Sequence, residues 1–201
     1  GCADLSAEFH LPMQIHLAES RLQAVQGQDR YGCSLVTHME SLGLLSPRLS
    51  VAHAIWIDDD DIDRLARAGV TAVHNPLSNL RLGSGVAAIR RMKARGLRVA
   101  LGTDGANTSD TQNLFEAARL AAYLSRIIEA NERDWITAGE AWEMGTTHSA
   151  HALGWGERLG RLAPGFEADL VLLDLSKPIY VPLRHAMRQL VHGENGAAVS
   201  H

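Results

Sequence analysis

The sequence predicts an α/β fold on a parallel sheet, about half of a (β/α)8 TIM-type barrel, and three observations carry that prediction. Short apolar segments alternate with helical ones from Met13 to about Ile128. A polar loop follows each apolar segment, and a Gly or Pro break closes each unit. Only four such units can be counted, whereas a closed eight-stranded barrel takes about 250 residues. Strand–helix alternation implies a parallel sheet, because a crossover helix must return the chain to the same end before the next strand starts. An open half barrel would leave two unpaired edges and a bare inner face. The chain is therefore expected to be a piece of a longer protein, or one half of a structure completed by another chain, as in a homodimer.

The elements follow in order. Strands are expected over Met13–Leu17, Leu49–Ala54, Val70–His74 and Leu97–Gly102. Helices are expected over Ser34–Leu42, Asp59–Ala68, Val86–Arg95 and, longest, Thr111–Glu129. Asp58 to Asp61 put carboxylates at a helix N-terminus, where the backbone dipole favours them. Gly69 and Gly96 sit where left-handed caps end helices. Thr137-Ala-Gly-Glu140 has capping-box spacing and opens a helix to about Thr146. A short helical turn follows at Ser149–Leu153. Gly160–Asp174 reads as a turn feeding an apolar strand at Asp169–Leu173, and Pro182–His192 as a last helix.

Composition narrows the functional classes. The 201 residues are 46% hydrophobic and 21% charged, as in ordinary soluble domains. A formal charge of −4 argues against a nucleic-acid binder, which would carry a basic excess. The run Arg90, Arg91, Lys93, Arg95 and Arg98 reads as the solvated face of a helix. No apolar run approaches the roughly 18 residues of a membrane span. Residues 1–10 lack a signal-peptide pattern, and the missing initial Met suggests a processed, tagged or truncated chain. Cys2 and Cys33 fit a reducing, cytoplasmic setting rather than a disulfide framework.

The chemistry-bearing residues gather at strand ends. The first strand ends in His16-Leu-Ala-Glu19, the second in His53, the third in His74-Asn75-Pro76, and the fourth in Thr103-Asp104-Gly105. In barrels of this type the reactive face lies at the C-terminal ends of the strands. Imidazole nitrogen and carboxylate oxygen are ligands for zinc or iron. A separate carboxylic acid can move a proton to a leaving group. Each residue alone has a plainer reading: a strand-end His is commonly a hydrogen-bonded structural residue, and Asp104 could be a turn former. Four such ends in succession favour the site. His148 and His151, three residues apart, share a helical face and read as packing or capping residues. Asp58–Asp61 lacks the alternation and central Gly of a calcium loop.

HLAES at 16–20, the isolated His53, HNPLSNLRLGSG at 74–85 and LGTDGANTSD at 101–110 resemble the amidohydrolase superfamily. The nearest branch is that of triazine hydrolases, cytosine/guanine deaminases and methylthioadenosine/adenosylhomocysteine deaminases. The resemblance covers almost all of residues 13–175. It implies that residues 1–160 are strands 5–8 of the barrel with their helices, its C-terminal half. Residues 161–201 would then return toward a small β-sandwich domain. It implies one divalent metal, zinc ahead of iron, held by His16 and Asp104. It makes Glu19 the acid/base that protonates a ring nitrogen, His53 the group that orients water or substrate, and Asp104 the base. It makes His74 and Asn75, with Ser78 and Asn79 on the same loop, the turn facing the substrate. Pro-x-Ser-Asn is also a good turn sequence, which gives Ser78 and Asn79 a structural alternative.

The implied reaction is hydrolytic deamination, or dechlorination, of a purine, pyrimidine or triazine ring by metal-activated water. Thr108, Ser109 and Asp110 would shape the pocket. One departure stands out: the family's first barrel strand carries a His-x-His metal pair, and no such pair occurs here. A rival reading is therefore a catalytically silent piece or structural subunit, short of ligands because catalytic zinc takes three from the protein.

Overall fold

The computed structural model describes residues 1–201. Helix α1 (Cys2–Phe9) leads into strand β1 (Met13–Leu17), followed by α2 (Arg21–Tyr31) and α3 (Leu35–Ser41). Strand β2 (Leu49–His53), α4 (Asp59–Arg67), β3 (Thr71–His74), α5 (Pro76–Arg81), α6 (Ile89–Ala94) and β4 (Arg98–Leu101) complete the sheet and its crossovers. Then come α7 (Ala106–Ser109), α8 (Leu114–Ile128), α9 (Ala138–Gly145), α10 (Thr147–Ala152) and α11 (Ala186–Gly193).

The sheet is parallel and runs in sequence order, β1-β2-β3-β4. Leu17 lies beside His53, and His74 beside Leu101. With Ala52 beside Val73, the strand ends form one continuous rim. Strands β2 and β3 are buried along their whole length, as expected of parallel strands covered on both faces. Val51, Ile62, Leu65, Val70, Met92, Leu97, Val99 and Met144 fill the core between sheet and helices.

The caps formed as the sequence indicates. Asp58 accepts from the Asp61 amide, Thr137 and Glu140 make a capping box, and Gly69 and Gly96 have φ of 72° and 80°. Helix α2 was not expected, because RLQAVQGQDRY has no apolar stripe. Its ends define it instead: Ser20 accepts from the Gln23 amide, and Gly32 closes it in the left-handed region. Inside it, a Cβ on Gly27 would lie 2.9 Å from Leu35 Cγ. That glycine lets α2 and the start of α3 approach.

Two expectations are corrected. Asp169–Leu173 does not form a strand: Leu173 makes a single antiparallel bridge with Val199, and Leu170, Val171 and Leu172 stay 50–62% exposed. A run paired on one side over so short a length lacks the neighbours that stabilise a ribbon. The basic run is not a bare solvated face either. Arg90 donates to the carbonyls of Asp134 and Trp135 and to Glu140, at 2.8–3.0 Å. Arg91 donates to the Ile57 carbonyl at 2.7 Å, and Arg95 grips Asp63 with two bonds.

The two sheet edges differ. Gly102 N–H donates to the His74 carbonyl, so by alternation the polar groups of Val99 and Leu101 point away from β3. Side chains of α10 meet them there. His148 Nδ1 donates to the Val99 carbonyl at 2.8 Å, and Ser149 Oγ bonds the Leu101 carbonyl and amide at 3.1 and 3.4 Å. His148 is thus a capping residue. The β1 edge has no such cover, and Gln14, Ile15 and His16 are exposed.

The C-terminal stretch is held by Glu194, 1% exposed. It accepts from the Tyr180 hydroxyl at 2.7 Å and from the amides of Asn195, Gly196 and Ala198 at 2.7–3.2 Å. Burial pushes its carboxyl up, but these donors outweigh burial and hold it below the ordinary range. Glu194→Ala is expected to cost about 2–3 kcal/mol in urea unfolding, because it strands a buried hydroxyl and three amides. A depressed folded pKa contributes stability above the unfolded value of about 4.3, and that stability is lost as pH falls through the folded value. The gap between wild type and variant should therefore narrow on acidification.

Candidate active site

Four side chains meet on the rim, carried there by three strand ends. His16 is the fourth residue of β1, and Glu19 lies two residues beyond the strand. His53 ends β2, and Asp104 follows β4. The chain bends sharply at these points: Ala18, His53, Ala54 and Asp104 have φ of 46°, 70°, 48° and 62°. Such conformations cost non-glycine residues of order 1 kcal/mol or more each, and persist where surrounding bonds impose them. Here the Ala54 amide donates to the Leu17 carbonyl at 2.9 Å, and the Ile55 amide to the Ala18 carbonyl at 3.1 Å.

The spacing of the polar atoms is informative. His16 Nε2 is 3.7 Å from Asp104 Oδ1, and His53 Nε2 is 3.8 Å from Asp104 Oδ2. Glu19 Oε2 is 3.9 Å from His53 Nε2. These separations are too long for hydrogen bonds. They suit donors arranged around a small ion, since tetrahedral zinc with bonds of 2.0–2.2 Å sets its ligands about 3.4 Å apart. One ligand atom from each of His16, His53 and Asp104 falls within a 4.8 Å group. His53 Nε2 is buried and has no hydrogen-bond partner, and a buried orphan of that kind calls for an occupant. Two imidazoles and a carboxylate therefore fit one divalent cation. The sequence offered two ligands, and the geometry adds His53 as a third donor aimed at the same spot.

Helix α5 orients two of these groups. His53 Nδ1 donates to Asn79 Oδ1 at 2.7 Å. That bond keeps the proton on Nδ1 and leaves the Nε2 lone pair toward the site. Ser78 Oγ donates to Asp104 Oδ2 at 2.6 Å. Burial raises the Asp104 carboxyl, but Ser78, the Gly105 amide, Thr108 and His53 together bring it below the ordinary carboxylate range. Ser78 and Asn79 are 0% and 1% exposed. Two consecutive polar residues buried on a six-residue helix are a positioning signal that turn propensity alone conceals.

His74 and Asn75, expected to face a substrate, are buried in the rim at 2% and 3% exposure. Burial, with His53 nearby, pushes the His74 imidazole down to about 3, so it is neutral. Asn75 packs against the β4 end: a Cβ on Gly102 would come within 2.4 Å of its Oδ1. The turn reaches the reactive groups through Ser78 and Asn79, and His74 and Asn75 pack behind them.

A parallel sheet with metal-type donors at its C-terminal rim has the layout of a barrel protein's reactive face. Residues 1–199 match the amidohydrolase family, and the chain belongs to it. It is 40% identical over 198 residues to a 5-methylthioadenosine/S-adenosylhomocysteine deaminase of Nitratidesulfovibrio vulgaris, covering 98% of this chain and 44% of that one. An adenosine deaminase from Xanthomonas campestris with bound zinc superposes with a TM-score of 0.92 at 31% identity, over 97% of this chain and 44% of that one. Atrazine chlorohydrolase from Arthrobacter aurescens, complexed with zinc, gives 0.92 and 31% over 98% and 44%. The chain thus spans less than half the length of the relatives it matches. No helix is long and apolar enough to cross a membrane.

Zinc titration of the chain by calorimetry checks the donor assignment. Asn79→Ala should weaken binding roughly ten- to hundredfold, as for other groups that orient a ligand. His16→Ala and Asp104→Ala should weaken it further, and unchanged affinity in all three would remove the ion from this rim.

Proposed function

We propose that this chain forms the C-terminal strand ends of a hydrolase that displaces an amine, as ammonia, from a purine, pyrimidine or triazine ring. Displacement of chloride is the close variant. The observation that carries the reading is the meeting of His16, Glu19, His53 and Asp104 within 3.7–3.9 Å contacts. Relatives named for deamination of adenosine-type compounds and for atrazine chlorohydrolysis support it.

His16 and Asp104 would hold the cation, with His53 Nε2 as a further donor or as the group that orients water. Zinc is favoured over iron because the zinc-bound relatives share this architecture. A bound divalent cation supplies Lewis acidity and eases ionisation of a water. Asp104, ionised under the donors that depress it, accepts the proton from the attacking water. Glu19, 21% exposed at the rim, donates a proton to the ring nitrogen beside the attacked carbon. Once the carbon–oxygen bond has formed, the amine takes the proton that Asp104 collected and leaves as ammonia, and the hydroxyl proton on the attacked carbon returns to Glu19 as the carbonyl forms. The neutral, buried His74 backs His53 without adding charge. The substrate is a small heterocycle, and a cytoplasmic setting suits the two free cysteines.

One observation favours a silent chain when these residues stand alone. The His16 side chain is 61% exposed, beside the uncovered edge of β1. Upstream strands, or a second copy, would have to close the site around it.

In the full-length enzyme, Glu19→Gln should retain bound metal but lose turnover by about a hundred- to ten-thousandfold, the usual worth of a positioned proton donor. Ammonia release from a panel of aminopurines, aminopyrimidines and aminotriazines measures it. Near-wild-type turnover in the variant would refute the mechanism.

A further inference from the structure

Glu19 would be poorly defined if only its own backbone held it, since its side chain has three rotatable bonds and stands at an open rim. Ordering such a side chain costs rotamer entropy, so something must hold it. Ser84 Oγ donates to Glu19 Oε1 at 3.1 Å. The Ser84 carbonyl accepts from the Trp56 indole N–H at 2.8 Å. The Trp56 backbone amide, in turn, donates to the Ala18 carbonyl at 3.0 Å. Ala18 is covalently joined to Glu19, so the series closes on itself.

We propose that Ser84 and Trp56 are positioning residues for Glu19, forming with Ala18 a closed ring of hydrogen bonds that assigns different tasks to the two carboxylate oxygens. Ser84 engages Oε1. Oε2 is the oxygen that faces His53 Nε2, at 3.9 Å. With an O–H already directed at Oε1, a proton carried by Glu19 lies on Oε2, toward the reacting centre. The proposal rests on the reading of Glu19 as the acid/base.

Further contacts stiffen the ring. The Glu19 amide donates to Gln23 Oε1 at 2.8 Å, fixing the backbone where the side chain starts. The Ser84 amide donates to the Asn79 carbonyl at 2.9 Å, tying the loop to the helix that orients His53. Gly85, at φ 119°, brings the loop so close that a Cβ would sit 3.1 Å from Ile55 Cγ2 and 3.4 Å from Trp56 Cζ2. Trp56 is 42% exposed, yet both its indole and its backbone N–H are engaged. That combination is uneconomical for a residue that only fills space.

The test uses the full-length enzyme with 5-methylthioadenosine as substrate probe, Ser84→Ala, Trp56→Phe, their double variant, and each in a Glu19→Gln background. Each single variant should lower kcat on the order of ten- to hundredfold with KM little changed, as misplacement of a reacting group does. The double variant should be no worse than the poorer single, because both act through one chain of contacts. In the Glu19→Gln background neither should change the residual rate by more than about twofold. Ser84→Thr, which keeps the hydroxyl, should restore the rate. Equal losses in both backgrounds, or additive losses, would overturn the proposal. A readout without substrate separates this from failure of the acid/base reading. In 15N-tryptophan-labelled protein the Trp56 indole proton, assigned by its loss in Trp56→Phe, should exchange slowly despite its exposure. Fast exchange would overturn the ring itself. Slow exchange with an active Glu19→Gln would leave the ring standing and refute only the role given to Glu19.

Discussion

A single short segment, Ser78 to Ser84, holds three side chains that arrive from three different strands. Ser78 bonds Asp104, Asn79 bonds His53, and Ser84 bonds Glu19. Two carboxylates that each approach one imidazole within 4 Å are not self-organising: the carboxylates repel, and the ring can turn. Directed donors and acceptors on one rigid turn remove that freedom. The geometry of the rim therefore depends on where α5 sits, and α5 sits where the β3 strand end and Pro76 place it.

The sheet gives that turn something to work on. The register of β1 through β4 brings the strand ends level, and left-handed backbone at Ala18, His53, Ala54 and Asp104 bends the chain at the rim. Local strain is offset by burial elsewhere: β2 and β3 are wholly enclosed, and the arginines of α6 tie the outer helices to loops on either side. Precision at the site is thus maintained by packing several residues away.

Much of this was legible in the residues. The strand Met13–Leu17 was read with its observed bounds, and the caps at Asp58, Thr137, Gly69 and Gly96 are local codes that need no tertiary context. What escaped was whatever depends on distant partners. Helix α2 has no apolar stripe and is set by its caps and by Leu35. The run at 169–173 has the composition of a strand, but pairing requires a neighbour, and the chain supplies it only around Leu173. His53 looked like an orienting residue. Its availability as a donor follows from Asn79, 26 positions away, which fixes its tautomer. Ser78 and Asn79 read as turn formers because their propensities fit that role equally well, and only burial separates the two.

The unequal edges of the sheet bear on how such a molecule can associate. One side is stopped by imidazole and hydroxyl groups lying across the last strand. The other presents the peptide groups of Gln14 and His16, which by alternation point away from β2. A twin's equivalent border would fill such an edge, whereas an added strand carries the open edge outward with it. Strand addition to this sheet is therefore one-sided: it can proceed from the first strand and stops at the last.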